Sequence, residues 1–441
     1  MNILLIQPRY PHGGKRQTYM PYGVMNFASR LIASGVQVQI VDLNLDELNE
    51  GHVQWADVVS IAVLGTPYIV GAIELVQNLR SRGFMGQILV AGQGVARFNR
   101  VAFDQLFSGR AIQVHEEFEF TQIFRVSLPD QETTSIEGAL KTLSPERRAS
   151  YLSQEFPLYL SQGCRFNCDF CAAAKHRREQ YRDLTVLAEE IDYIASELER
   201  IGSYKLEAYL SNLDAFQNAD QLEQALRVIH ERCQRSGIEV RLRCLSTMAM
   251  FAYAARKDPD LPGRLLHLGL KIVAFGADGG DERIWARMGK RHNSLETLRE
   301  AVNAAQQSGL EVEILMVIGF RDDDALAMYR ALKVSLDWAK HGCILRPYLG
   351  KPPIDHMEAD ELKTYVKNPE TILNLDYAAL GSKSTHPNRS QRWMVNATYL
   401  AAIAALTPRG LNTTFPIIPL EGSRVRRALA HAINRFMPAD R

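Results

Sequence analysis

The chain has 441 residues with 51 basic and 50 acidic side chains, a formal charge of +1, and that balance lacks the electrostatic footprint of a nucleic-acid or membrane-surface binder. It is 46% hydrophobic and 23% charged, ordinary values for a soluble globular protein, and at about 150 residues per domain its length suggests two or three domains. The opening MNILLIQPRYP has no basic stretch before its apolar run, and the run is too short for a signal peptide or a membrane span. Six cysteines in so long a chain are no disulfide framework. Three of them crowd together, which points to a reducing compartment and a metal, so a cytoplasmic enzyme is expected.

Short apolar runs alternate with helical patterns through the first 110 residues. NILLIQP (2–8), VQVQIVDL (36–43), DVVSIAVLG (57–65) and QILVAGQG (87–94) read as strands, with helices over 22–35 and 69–83. Strands alternating with helices imply right-handed crossovers and an open parallel sheet, which binds ligands at the carboxyl ends of its strands. Those ends carry Gln7-Pro8-Arg9, Gly65-Thr66-Pro67 and Gly92-Gln93-Gly94. Gly92-x-Gly94 lacks the third glycine of a dinucleotide fingerprint and ends a late strand, so turning the chain explains it as well as holding a ligand does. Residues 111–155 are polar with few periodic apolar positions and read as a connecting segment holding a short helix or hairpin.

A second series begins at PLYLSQG (157–163). Strands at 205–212, 238–246, 270–278, 311–320 and 343–350 follow, each but the last leading into a helical stretch. That makes six strands, five of them leading into helices, in about 190 residues, roughly 32 per repeat, the pattern of a (β/α)6 barrel short of eight strands. Active sites in barrels sit at the strands' C-terminal ends. The expected domains are a Rossmann-like layer (1–110), the connecting segment (111–155), a (β/α)6 barrel (156–350) and a mixed C-terminal cap (351–441). Tyr348, His356, His386 and Trp393 are candidate cap-lining residues, although a lone histidine or aromatic is more often packing or surface.

Residues 163–171 read GCRFNCDFC, placing Cys164, Cys168 and Cys171 in a C-x3-C-x2-C pattern at the end of the first barrel strand. Thiolates ligate zinc and iron–sulfur clusters. A closed zinc site needs a fourth ligand, for which His176 is the nearest candidate. A 4Fe–4S cluster on three thiolates keeps one iron open.

The pattern resembles the radical S-adenosylmethionine (SAM) superfamily. The resemblance implies that Cys164, Cys168 and Cys171 hold a 4Fe–4S cluster, that its open iron chelates SAM, and that one electron cleaves a C–S bond of the sulfonium. It further implies an external one-electron reductant of the flavodoxin or ferredoxin type. Phe170, just before the third cysteine, matches the aromatic that touches adenine. The other SAM positions match less closely: Ser211 to Asp214 after the second strand, Arg243 and Ser246 at the end of the third, Gly276-Ala277-Asp278 where relatives carry Gly-x-Glu, and Gly319-Phe320 after the fifth. Each is as readily a rim residue with a structural hydrogen bond.

The front half resembles the cobalamin-binding domain that precedes this barrel in one large subfamily, matching at NILLIQPRYP, PYGVMNFASRL, VQIVDLN, DVVSIAV and LVAGQG. It departs by lacking D-x-H-x-x-G, by the bulky VARFNRVAFDQLF, and by HEEFEF where an acidic glycine-rich stretch is common. Relatives with cobalamin mostly transfer methyl groups, so methyl transfer to a small molecule in natural-product metabolism is the leading expectation. Cys233, Cys244 and Cys343 remain. Burial as small hydrophobes is the usual account of such thiols, and Cys233 falls on a helix. Cys244 and Cys343 are the sharper candidates, as thiolates that engage substrate or a thiophilic atom. That keeps a second chemistry open: transfer of the 3-amino-3-carboxypropyl group of SAM to an acceptor such as trivalent arsenic, as in arsinothricin-type biosynthesis, without cobalamin. A non-catalytic iron–sulfur protein is the remote alternative.

Overall fold

The computed structural model describes residues 1–10, 19–65, 68–92, 94–96, 98–114, 117–168, 171, 178–318, 325–349 and 366–369. Its front layer is a parallel sheet of β1 (Asn2–Gln7), β2 (Gln37–Asp42), β3 (Val58–Ala62), β4 (Gln87–Ala91) and β5 (Ile112–Val114), in the order β2-β1-β3-β4-β5. The first four strands match the expected ones within a few residues. The fifth was not expected, because three residues carry no periodicity. It lies against Leu89–Ala91 and extends the sheet into the segment read as a connection.

The chain continues through β6 (Phe156–Tyr159), β7 (Ser161–Gln162), β8 (Gln180–Tyr181), β9 (Lys205–Ser211), β10 (Glu239–Ser246), β11 (Leu270–Gly276), β12 (Glu311–Ile318) and β13 (Ile344–Leu349). β6 and β9 to β13 form one six-stranded parallel sheet in sequential order, while β7 and β8 pair as an antiparallel ladder. The single strand expected over 157–163 is therefore split. After Tyr159 the chain leaves β9 to pair with Tyr181 and Gln180, and two-residue ladders carry no pattern to read.

Helices cover the outer face for local reasons. Asp183 caps Leu184–Arg200 by accepting from the Thr185 and Val186 amides, and Leu187, Ile191, Ile194, Ala195 and Leu198 form its buried stripe. Burying each of the larger side chains contributes about 1.5–3 kcal/mol. Asn218 caps Ala219–Arg235 in the same way. Along β10 the period of two buries Val240, Leu242, Cys244 and Ser246 more deeply than Arg241, Arg243 and Leu245. Arg243 of β10 reaches Glu313 of β12 at 3.5 Å although β11 lies between them. The sheet therefore curves, and the arginine face is its concave side.

The segment 111–155 is more structured than expected. It holds helices Glu117–Phe124, Glu137–Thr142 and Pro145–Leu152 and fastens the two sheets together. Tyr151 Oη donates to Asp42 at 2.8 Å, Arg147 pairs with Asp46, and the Ala139 amide donates to Ser29 Oγ at 2.9 Å. Ile3 and Leu5 share one core with Phe156, Leu158 and Tyr159. Of the expected cap only residues 366–369 are described, and Val366 packs against the front-layer core.

Candidate functional site

The β7–β8 ladder turns the cysteine segment into a hairpin loop that begins at Gly163. Gly163 has φ +92°, and a Cβ there would stand 2.3 Å from the Arg178 carbonyl oxygen, so the close return of the loop requires glycine. Cys164, Cys168 and Cys171 are half-buried, and the Cys171 amide donates to the Cys168 carbonyl at 3.0 Å. Burial pushes the Cys168 thiol up to about 11, partly offset by the Lys290 charge, and burial raises the Cys164 thiol as well. Ligation by these sulfurs would therefore release protons. Among the described residues no three histidine, cysteine or acidic side chains are gathered around a single-ion position. The fit to a cluster rests on the donor set, three half-buried thiols within eight residues of one loop. His176 and Phe170 lie outside the described residues.

Two clamps hold this loop. On one side the Arg165 amide donates to Gln217 Oε1 at 2.7 Å, and the Arg165 guanidinium donates to the Gln217 carbonyl at 2.9 Å. Gln217 belongs to the turn Ala215–Asn218 after β9, which Asp214 caps. Asp214 is fully buried and accepts from Ser246 Oγ at 2.9 Å and Thr247 Oγ1 at 2.8 Å. Burial pushes its carboxyl up to about 6 against those hydrogen bonds. On the other side Phe166 stacks on His292, ring centroids 3.8 Å apart. Burial and the Lys290 charge hold that imidazole down to about 4, so it is neutral at physiological pH. Lys290 pairs with Asp278 and donates to the Gly276 carbonyl at 3.2 Å, and Trp285 Nε1 donates to the Asp278 carbonyl at 2.5 Å.

The structure thus brings Asp214, Ser246 and Asp278 together at the strand ends beside the cysteine loop. Ser211 ends β9, and next to it Asn212 buries its Oδ1 with no hydrogen-bond partner among the described residues. Arg243 sits differently from the expectation. Its guanidinium is held by Glu155 at 2.7 and 2.8 Å and lies 4.7 Å from the Tyr209 ring centroid, three residues below Ser246 on the concave face. Its charge is spent on the barrel wall. Cys244 and Cys343 also depart from a substrate role. Cys244 is fully buried on the face opposite Arg243. Cys343 precedes β13 at the far end from the cysteine loop, accepts from Gln306 Nε2 at 3.7 Å, and has its thiol pushed up to about 12 by burial. Of Tyr348 only the backbone register, opposite Val317, is described. Gly319 lies outside the described residues. Lys290, Gln217 and His292 were missed in the sequence. KRHN (290–293) follows the Gly-x-Asp strand by a helix and was its one local signal.

In the front layer Gly92 (φ +112°) lets β4 close on β3, since a Cβ there would meet the Val63 carbonyl oxygen at 2.5 Å. Gly94 is equally close to the Gly65 carbonyl, 2.6 Å. Both are consumed by packing. The buried amide of Gln7, at the end of β1, has neither atom paired among the described residues.

A partial parallel barrel with three cysteines on the loop after its first strand, behind an open Rossmann-like sheet, is the architecture of an iron–sulfur enzyme that works at a barrel mouth. Residues 158–332 match the family model for the Radical SAM superfamily, so the chain carries a radical SAM domain. A search of curated proteins finds no match. Among solved structures the chain is similar to the radical S-adenosylmethionine methyltransferase TsrM from Kitasatospora setae with cobalamin and a 4Fe–4S cluster bound (13% identity, TM-score 0.58, 79% of this chain and 75% of that one). It is also similar to the cobalamin-dependent S-adenosylmethionine radical enzyme OxsB with aqua-cobalamin and S-adenosylmethionine bound (12% identity, TM-score 0.60, 99% of this chain and 61% of that one). These likenesses establish the fold: a radical SAM barrel behind a layer that is cobalamin-binding-like in architecture.

Proposed function

We propose that this protein cleaves SAM reductively at a 4Fe–4S cluster and transfers a methyl group, by way of cobalamin, to a small molecule. The observation that carries the reading is the three-thiol loop pinned at the barrel mouth between the buried Asp214 and the Lys290–Asp278 pair. Bound there, the cluster and SAM supply one-electron cleavage of a sulfonium C–S bond, and cobalamin supplies a methyl carrier.

Cys164, Cys168 and Cys171 hold the cluster, with Gln217 and the Phe166–His292 stack fixing the loop that presents them. The Asp278–Lys290 ion pair and the Asn212 amide, whose Oδ1 has no partner among the described residues, stand at the strand ends where the charged amino-acid end of SAM would lie. Asp214 reaches SAM only through Ser246 and Thr247, as a positioning residue. An external one-electron donor of the flavodoxin or ferredoxin type completes the system. The near-neutral net charge of +1 gives no overall electrostatic drive toward nucleic acid. Among the described residues no helix is long and apolar enough to cross a membrane. Cys244 is buried on the face turned away from the lumen and Cys343 at the far end from the cysteine loop, so neither offers a thiolate to a trivalent-arsenic acceptor, which favours methyl over aminocarboxypropyl transfer.

The test is mass spectrometry of SAM-derived products after anaerobic reconstitution and dithionite reduction, with and without cobalamin. S-Adenosylhomocysteine that appears only with cobalamin supports the reading. 5′-Methylthioadenosine as the sole product overturns it in favour of aminocarboxypropyl transfer. SAM cleavage by a Cys168→Ala variant at the wild-type rate would remove the cluster assignment.

A further inference from the structure

Gln7 is the one buried polar side chain of the front sheet for which both the donor and the acceptor atom lack a partner among the described residues; it is 2% exposed. Buried amides are ordinarily paired, and one left alone marks a group that a ligand or water completes. Its place is specific. In the order β2-β1-β3 the strand direction of winding reverses at β1, and open α/β sheets bind ligands in the crevice outside the carboxyl ends of the strands at that point. Gln7 is the last residue of β1.

Alternation fixes the face. Ile3 and Leu5 belong to the core shared with the barrel strand β6, while Leu4 and Ile6 belong to the separate core behind the sheet. Gln7 continues the Ile3–Leu5 row and so turns toward the barrel. On that face the neighbouring strand ends carry the Asp42 carboxylate of β2, in register with Gln7, on one side, and on the other Ala62 of β3 with Ala91 of β4 beyond it. The groups around Gln7 satisfy one another and leave it out. Asn44 accepts from the Tyr10 amide at 2.7 Å and donates to Asp42 at 2.7 Å, and Asp42 in turn holds Tyr151. Beyond the strand ends Tyr10 and Tyr68 pair with centroids 5.6 Å apart, and Leu64 stands 40% exposed. The edge therefore offers an amide with its nitrogen and oxygen both open, two alanines on one side of it and the hydrogen-bonded Asp42 carboxylate on the other, and an apolar rim.

A corrin is a flat apolar ring bordered by carboxamides, the complement of such an edge. The geometry points to Gln7 as the residue that reads a ring carboxamide of cobalamin, its Nε2 donating to the amide oxygen and its Oε1 accepting from the amide nitrogen. The assignment rests on the cobalamin-dependent reading above. It also explains how the layer holds the group without a D-x-H-x-x-G motif and with Gly92 and Gly94 consumed by packing.

The experiment is an absorbance titration of the cluster-reconstituted full chain with hydroxocobalamin and, separately, with cobinamide, which keeps the ring carboxamides and lacks the nucleotide tail. Gln7→Leu is expected to weaken both at least tenfold, while the melting temperature of the cobalamin-free protein stays level or rises, since an unpaired buried amide has been removed. Gln7→Asn, which keeps the amide but shortens its reach, should fall between the two. Unchanged affinity of Gln7→Leu in a wild type that binds cobalamin overturns the role of Gln7 and leaves the methyl-transfer reading standing. A loss for cobalamin alone, with cobinamide unaffected, overturns the ring assignment. A wild type that takes up neither overturns the inference and the cobalamin reading together.

Discussion

Glu190 is a buried carboxylate outside the mouth that joins three parts of the chain. It is fully buried on helix Leu184–Arg200 and meets Arg182, itself 1% exposed, through two hydrogen bonds of 2.8 and 2.5 Å. It also accepts from the Ile136 amide at 2.8 Å, and Arg182 donates its backbone amide to the Leu160 carbonyl at 2.9 Å. One charge pair thus ties the connecting segment, a barrel helix and the strand that closes the cysteine hairpin. Removing one partner of a buried pair strands the other charge and costs about 3–5 kcal/mol, whereas replacing both with apolar groups of similar volume is often neutral or stabilising. Glu190→Gln is therefore expected to lower the urea midpoint by about 1 M, taking an m-value of roughly 3 kcal/mol/M for a chain of this size. It should also reduce iron uptake, because Arg182 anchors the loop's return. The double variant Arg182→Met/Glu190→Leu should recover to within about 1 kcal/mol of wild type. The assay is urea unfolding of the cobalamin-free, cluster-free protein, followed by iron analysis after reconstitution. A Glu190→Gln midpoint indistinguishable from wild type, or a double variant worse than the single one, would refute the reasoning.

Gly163→Ala places a Cβ against the Arg178 carbonyl at positive φ and should abolish most iron loading while leaving far-ultraviolet circular dichroism unchanged; full iron content would contradict the hairpin geometry. Asp214 gives a pH signature. Burial raises its carboxyl from the usual aspartate value of 3.8 to about 6, so its contribution is fully present only below 3.8 and is lost as pH rises through 6. That rise is worth roughly 3 kcal/mol over the whole titration, so wild type should lose about 2 kcal/mol relative to Asp214→Asn between pH 4 and 7. Parallel urea midpoints of the two proteins across that range would dismiss it. Cys244→Ala and Cys343→Ala should leave SAM cleavage within about twofold of wild type and cost about 1 kcal/mol of stability each, as small buried hydrophobes do. A large loss of turnover at full iron content would return them to a substrate role.

Much of the molecule was legible locally. Strands and helices of both layers show in apolar periodicity, because each buries one face and must repeat at two or 3.6 residues. The cysteine spacing was legible because a loop brings its own ligands together. What escaped depends on partners distant in sequence: β5 and the β7–β8 ladder, too short to carry a period, and Gln217, which meets Arg165 across 52 residues. The two glycines of the front layer were visible, but only the approach of Val63 and Gly65 showed that packing consumes them. The same holds for Arg243 and Cys244. The sequence places them side by side on one strand, and alternation puts them on opposite faces. Which face becomes the lumen is decided when the sheet curves and Arg243 meets Glu155 and Glu313 from other strands. A period assigns a side chain to a face, and only closure of the sheet decides which face looks into the active site.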